Sequence, residues 1–223
     1  MLRHHHARRR VTALLTALTL GLGATACGND TDDGAEPSAE RTAANGAVFN
    51  DADVDFATTM IPHHAQAIEM VTLTDARTLD PAVKQLADTI RDAQAPEVET
   101  MVDWLTAWGE EIPPTSLDHS NAGHDMDDMG DDMGDDMGDD TGGMADDVPG
   151  MMTAEDMQAL ATASDAEFQD LWLRMMVEHH EGAVAMAKRE RAEGTFPDAV
   201  SLAESIETSQ QAEIGQLEAL IGS

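Results

Sequence analysis

Two adjacent histidines occur twice in this sequence, each time between methionines at the same spacing. The two groups are Met60, His63, His64 and Met70, and Met176, His179, His180 and Met186. In a helix, where successive residues turn by about 100°, the first histidine of each pair shares a face with both methionines. Because adjacent imidazoles diverge, we expect His63 and His179 to lead any shared site. The same divergence leaves open that one histidine of each pair faces outward.

Imidazole and thioether groups on one face favour a soft metal ion. Imidazole suits Cu, Zn, Ni and Fe, whereas thioether strongly favours Cu(I) or its analogue Ag(I). Cys27 is the only cysteine, so the mature chain has no internal disulfide and no thiolate cluster. We therefore predict a metal site built from these eight residues, a copper ion in the Cu(I) state being favoured over Cu(II) and Zn. Core packing by the methionines and hydrogen-bonded structural histidines are the alternatives.

Two glutamines interrupt the apolar stripes of later helices. Each of them, Gln94 and Gln210, is followed one turn on by a glutamate, Glu97 or Glu213. We predict that the glutamine amide hydrogen-bonds a histidine ring nitrogen and fixes its tautomer. A hydrogen bond to another helix or to the backbone is the alternative.

The composition changes to Asp, Gly and Met over residues 110–152. Such a segment cannot bury a core and is predicted to be disordered without a ligand. Its thioethers and imidazoles would hold Cu(I) loosely, and its carboxylates would concentrate cations. A solvated acidic tether and a hard-cation sponge are the alternatives. The auxiliary candidate ligands are His119, His124, Met126, Met129, Met133 and Met137.

The histidines belong to an internal repeat, because residues 56–105 align with 172–221 without a gap. Each copy, residues 50–109 and 153–222, is predicted to form two amphipathic helices, the second beginning at Pro81 or Pro197. The histidine helices should span about 53–75 and 164–192, and Ser164 with Glu167 fits a capping box. Two such hairpins can bury their stripes against each other. We predict an all-α fold, a four-helix bundle of two repeated hairpins joined by the Met/Asp/Gly-rich linker.

The N-terminus has the layout of an export signal. Residues 1–26 combine arginines with an apolar stretch too short to span a bilayer, which predicts a signal peptide. The run into Cys27 resembles a bacterial lipobox, which implies cleavage before Cys27 and lipidation of its thiol. Residues 27–49 are predicted to be a flexible tether. We expect a lipoprotein on the outer face of the cell membrane, with secretion after ordinary cleavage as the alternative.

The net charge of the chain limits the classes of partner that it can bind. With 44 acidic and 12 basic residues, its formal net charge is −32. Such a surface repels nucleic acid and anionic lipid and attracts cations. We expect a metal ion as partner, no nucleic acid, and membrane contact only through the lipid anchor. A metallochaperone or a second copy of the chain remains open as a protein partner.

The first histidine motif resembles the DUF305 family, whose members include exported copper-binding proteins of the copper-resistance type. The resemblance rests on Phe56, on Met60-Ile61-Pro62-His63-His64 and on Ala67-Ile68-Glu69-Met70. It implies a ferritin-like four-helix bundle and, in some members, copper sequestration outside the cytoplasm. In the second copy Trp172 and Glu178 replace the phenylalanine and the proline, and no candidate ligand changes.

The pattern favours binding over catalysis. Neither histidine helix contains the Glu-x-x-His motif of a di-iron oxidase or the His-Glu-x-x-His motif of a zinc hydrolase. We therefore expect an extracytoplasmic protein, not an enzyme, that sequesters, buffers or delivers copper. The alternative is a non-catalytic interaction or scaffold bundle with structural histidines.

Overall fold

The computed structural model describes residues 39–115 and 148–222. Several predictions concern residues outside these ranges: the signal peptide, the lipidation of Cys27, the tether up to residue 38, and most of the acidic linker. All six auxiliary ligands also lie outside the described residues. They are His119, His124, Met126, Met129, Met133 and Met137.

Four long helices form the predicted all-α bundle. The elements in chain order are β1 (Arg41–Thr42), β2 (Val48–Phe49), α1 (Asp51–Thr72), α2 (Pro81–Trp108), α3 (Ala154–Thr162), α4 (Asp165–Glu193) and α5 (Pro197–Ile221). Helix α1 packs on α2, α4 packs on α5, and the two histidine helices, α1 and α4, pack on each other. Within residues 39–115 and 148–222, no helix has both the length and the hydropathy needed to cross a membrane.

Local sequence explains where most helices begin and end. Asn50 and Asp53 form a capping box at the start of α1, and prolines open α2 and α5. Gly109 ends α2 with φ 77°. The capping box expected at Ser164 is incomplete. The hydroxyl of Ser164 donates to Glu167 at 2.7 Å, but no backbone N–H of a described residue donates to it.

Two short elements were not predicted. The hairpin β1–β2 lies in the segment predicted as a tether, and α3 precedes the histidine helix of the second copy. The hairpin is held because Phe49, 3% exposed, stacks on Trp108 with ring centroids 4.6 Å apart. Arg41 adds ion pairs to Asp51 and Glu110. The folded region therefore begins before α1.

The two copies hold each other's interhelical turns through equivalent residues. Asp53 in α1 accepts a hydrogen bond from the backbone N–H of Phe196, at 2.9 Å, where α5 begins. At the same repeat position in α4, Gln169 accepts from the backbone N–H of Asp80, at 2.8 Å, where α2 begins. The first helix of each copy thus satisfies an orphan donor at the second helix of the other copy.

Candidate metal centre

A polar layer crosses the middle of the bundle between two apolar clusters. One cluster contains Met70, Ile90, Met176 and Leu217, and the other contains Met60, Met101, Ala183 and Ile206. Each long helix contributes two residues to the layer. Its members are His63, His64, Gln94, Glu97, His179, His180, Gln210 and Glu213.

The leading histidines of the two copies face each other across the contact between α1 and α4. The rings of His63 and His179 have centroids 3.7 Å apart, with 37° between their planes. Both side chains are fully buried. The structure therefore brings together the two residues that the spacing favoured.

The second histidine of each pair points to the neighbouring helix of its own copy. His64 contacts Glu97 on α2, with 2.7 Å between Nε2 and Oε2, and His180 contacts Glu213 on α5 at 2.8 Å. All four histidines are buried, so neither pair has an outward member. The reason is that the two directions about 100° apart both meet a packed helix.

Glutamates make the contacts that we expected from the glutamines. The side chains of Gln94 and Gln210 are 2% exposed, and neither amide has a hydrogen-bond partner among the described residues. Glu97 and Glu213 lie one turn later and reach the rings instead. The spacing of three residues from Gln94 to Glu97 was the signal that could have identified them.

The layer contains an unusual number of buried polar atoms without partners. Among the described residues, these are both amide atoms of Gln94 and of Gln210, both ring nitrogens of His179, and Nδ1 of His63, His64 and His180. The backbone of His63 lies near the His179 ring and acts to raise the pKa of His179, but the contact does not have hydrogen-bond geometry. Buried polar groups are nearly always satisfied, so a group left alone points to a ligand, an ion or water.

Burial keeps the two central rings neutral. Desolvation lowers the pKa of His63 and of His179 well below the ordinary value, and the neighbouring histidines lower both further. A neutral imidazole carries one nitrogen lone pair, which is the form that binds a metal. His63 and His179 are therefore in the protonation state that can bind a metal cation.

The methionines of the motif flank the layer on both sides. Met60, Met70 and Met176 are fully buried and Met186 is half-buried. Met60 and Met186 lie with one apolar cluster, and Met70 and Met176 lie in the other. Within the described residues, no three His, Cys, Asp or Glu side chains are close enough to bind one ion. The donor set that fits best is therefore imidazole supplemented by thioether, which suits a soft cation.

A five-residue segment, residues 148–152, lies against His63, and we call it the strap. The carbonyl oxygen of Pro149 is 3.2 Å from Nε2 of His63. Gln66 exchanges two hydrogen bonds with the backbone of Met152, at 2.7 and 2.8 Å. These contacts join residues 86 positions apart, and the composition of the acidic linker gave no sign of them.

Four long helices form the bundle, a two-helix unit is repeated, and a layer of buried histidines crosses the centre. These features define the class of protein: a helical bundle with a polar centre. The chain belongs to the DUF305 family, a domain of unknown function whose model matches residues 53–221. A DUF305 protein from Streptomyces coelicolor, described as secreted, is 29% identical with a TM-score of 0.60. The similarity covers 77% of this chain and 92% of that one. No curated protein matches the sequence significantly.

Two further solved structures extend the comparison. A DUF305 fragment from Deinococcus radiodurans shares the fold, with 24% identity and a TM-score of 0.60 over 82% of this chain and 99% of that one. CopM in its Cu(II)-bound form is 29% identical with a TM-score of 0.56, over 76% of this chain and 95% of CopM. CopM has also been solved with Cu(I) and with Ag bound. The predicted family and the all-α bundle are thereby confirmed.

Proposed function

We propose that this protein is a non-catalytic, extracytoplasmic metal-binding protein that holds copper, preferentially as Cu(I), at the polar layer. The observation that carries the proposal is the set of buried ring nitrogens where the two copies meet, which have no partner within residues 39–115 and 148–222. Solved relatives of the same fold that bind Cu and Ag support it. Sequestration, buffering and delivery are the roles that such a site serves.

The central ligands are His63 and His179, with His64 and His180 beside them. A site of few imidazole and thioether ligands is typical of Cu(I) and Ag(I) and not of tetrahedral Zn. The thioethers that border the layer favour the same ions. Two carboxylates of the layer, Glu97 and Glu213, supply negative charge that offsets a bound cation.

The similarity to a DUF305 protein that is described as secreted supports an extracytoplasmic location. We further propose that Cys27 is lipidated, so that the bundle works at the outer face of the cell membrane. Mass spectrometry of Cys27 in membrane fractions tests the anchor independently of metal binding. An unmodified thiol in a fully secreted product would contradict it.

A Cu(I) titration of the leader-free protein against a chromogenic chelator tests the metal site. We expect tight binding that is lost when His63, His64, His179 and His180 are all changed to Ala. Because that variant leaves a cavity, a polar variant with His63→Asn and His179→Asn, checked by circular dichroism, serves beside it. Unchanged affinity in both would exclude the polar layer, and no competition by any form would favour a scaffold role.

Two matched variants separate the soft-ligand and linker contributions. Met60→Leu with Met176→Leu keeps most of the packing and should weaken Cu(I) binding by roughly tenfold, about 1.4 kcal/mol, with no effect on Zn(II). Met101→Leu is the control, since Met101 is equally buried and lies outside the motif. Replacing residues 116–147 by Gly/Ser of equal length should remove only weak, additional copper ions.

A further inference from the structure

Three of the four layer histidines contact an oxygen acceptor through the same ring nitrogen. Nε2 of His64 contacts Glu97 and Nε2 of His180 contacts Glu213, both through carboxylate oxygens. Nε2 of His63 contacts the backbone carbonyl of Pro149. In each of these rings the other nitrogen, Nδ1, is buried and has no hydrogen-bond partner in the part of the chain that the structure describes.

A neutral imidazole has one N–H and one lone pair, and a fixed acceptor decides which nitrogen keeps the proton. A carbonyl oxygen can only accept, so the contact with Pro149 requires that His63 donates through Nε2–H. The lone pair of His63 then resides on Nδ1. The carboxylates favour the same arrangement in His64 and His180, because carboxylate partners of metal-binding histidines fix both the tautomer and the ring orientation.

The strap is built so that Pro149 keeps its place. The side-chain amide of Gln66 donates to the carbonyl of Met152 and accepts from its backbone N–H, and both bonds are buried. On the opposite side the strap lies directly on α4, where a Cβ added at Gly182 would overlap the carbonyl of Pro149. Gly150, with φ 77°, lies close to the carbonyls of Glu178 and His179.

The repeat shows that this arrangement is specific to the site. Gln66 and Gly182 occupy the same position of the two copies, 116 residues apart. In the first copy the amide of Gln66 hydrogen-bonds to the strap, and in the second copy the absence of a side chain at Gly182 leaves space for it. Two different residues at equivalent positions thus both contact the strap that places the Pro149 carbonyl beside His63.

We propose that the Pro149 carbonyl, held by Gln66 and Gly182, acts with Glu97 and Glu213 to make Nδ1 the nitrogen that His63, His64 and His180 each offer to a metal. The fourth histidine, His179, has no hydrogen-bond partner for either ring nitrogen among the described residues, so its tautomer is not fixed in this way. Gln66 and Gly182 are positioning residues, since they act through the strap. The proposal deepens the metal-binding function above and rests on it for the bound state. The tautomers of the metal-free protein are tested without it.

Nitrogen NMR of the leader-free protein labelled with ¹⁵N in histidine tests the proposal in two stages. In metal-free protein, long-range ¹H–¹⁵N correlations should show Nε2 protonated and Nδ1 unprotonated in these three rings. After addition of Ag(I) alone, the Nδ1 resonances should shift and split through coupling to the silver nucleus. Protonated Nδ1 in metal-free His63 would overturn the role of the strap.

Variants separate positioning from folding. Gln66→Leu should turn His63 into a mixture of tautomers and leave His64 and His180 unchanged. Glu97→Leu should do the same to His64 alone, whereas Glu97→Gln, which keeps an acceptor oxygen, should restore the Nε2–H form. A His63 tautomer unaffected by Gln66→Leu, in a variant folded by circular dichroism, would overturn the positioning role.

The two hypotheses fail in different ways. Silver coupling at Nε2 in place of Nδ1 would overturn the proposed ligand atoms and leave metal binding intact. No silver coupling in any histidine would overturn the metal site at the polar layer. The metal-free tautomers would still decide whether the strap and the glutamates set the rings.

Discussion

Glu190 holds the position in the second copy that Thr74 holds in the first. Thr74 is satisfied locally, because its hydroxyl donates to the carbonyl of Val71 at 2.7 Å. Glu190 is 1% exposed and lies against the carboxylate of Asp53. Burial, and then the contact with Asp53, raises the pKa of Glu190 to about 9. At neutral pH the side chain is therefore a protonated acid that can donate to Asp53.

This residue makes stability depend on pH. Since the pKa of Glu190 is near 9 when folded and near 4.5 when unfolded, the folded protein binds the extra proton between these values. The contribution is fully present below pH 4.5 and is lost as the pH rises toward 9. Glu190→Gln should therefore flatten the decline of the free energy of unfolding with pH, by at most about 1.4 kcal/mol per pH unit.

Urea unfolding at several pH values between 5 and 9 measures the effect. Glu218→Gln is the matched control, since Glu218 is exposed on the neighbouring helix α5. It should leave the pH dependence unchanged. Equal slopes for the wild type and Glu190→Gln would show that Glu190 ionises normally in the folded protein.

At the scale of single residues, the polar layer shows which contacts the sequence could predict and which it could not. The motif identified His63 and His179, because a helical period places each of them on the same face as the methionines of its motif. It could not show that His64 and His180 are also buried, since this depends on which helix packs beside each ring. Whether Gln94 or Glu97 contacts the ring of His64 depends on how far each side chain reaches across the contact between two helices. The helical period of the sequence carries no information on that reach.

At the scale of elements, the hairpin β1–β2 belongs to the folded bundle. Phe49 stacks on Trp108, and Phe196 meets the same indole edge-on with centroids 5.3 Å apart. Arg41 lies 4.7 Å from the centre of the Phe49 ring. An aromatic residue buried in this way contributes strongly to stability.

Phe49→Ala should lower the free energy of unfolding by about 3 kcal/mol, because it leaves a cavity next to Trp108. Chemical denaturation followed by circular dichroism measures the loss. Val48→Ala, in the same strand but 41% exposed, should change stability little. Copper affinity of the folded variant should be unchanged, so a parallel loss of affinity would contradict the separation of hairpin and layer.

The elements also show why the sequence did not predict the ordered structure of residues 148–152, at the end of the linker. Residues 148–152 (Val-Pro-Gly-Met-Met) share glycine and methionine with the segment before them, and although they contain no acidic residue, they show no helix or strand pattern of their own. Their order comes from Gln66 and Gly182, which are distant in the chain. Helix α3, by contrast, carried a readable signal, the capping box of Thr153 and Asp156.

At the scale of the whole molecule, the two copies depend on each other. Each supplies the acceptor that satisfies the other's second helix, and Trp172 donates from α4 to the carbonyl of Met70 at 3.0 Å. Isolated helical hairpins would leave these donors and the apolar clusters in water. The bundle should therefore fold as one cooperative unit.

Fragments 39–115 and 148–222, prepared separately, should be largely unfolded, and an equimolar mixture should recover helicity in far-ultraviolet circular dichroism. The physical reason is that lone helices are marginal in water without tertiary packing. Carrying Asp53→Ala on the first fragment should weaken reassembly, since it removes the acceptor for the turn before α5. Cooperative melting of either fragment alone would contradict this interdependence.

The placement of Trp172 gives the molecule a built-in optical reporter. Its indole is fully buried in the cluster that contains Met70 and Met176, whereas Trp104 and Trp108 stack with each other near the hairpin. The three tryptophans thus sample opposite ends of the bundle. A change in the cluster of Met70 and Met176 should therefore alter the emission of Trp172 more than that of Trp104 and Trp108.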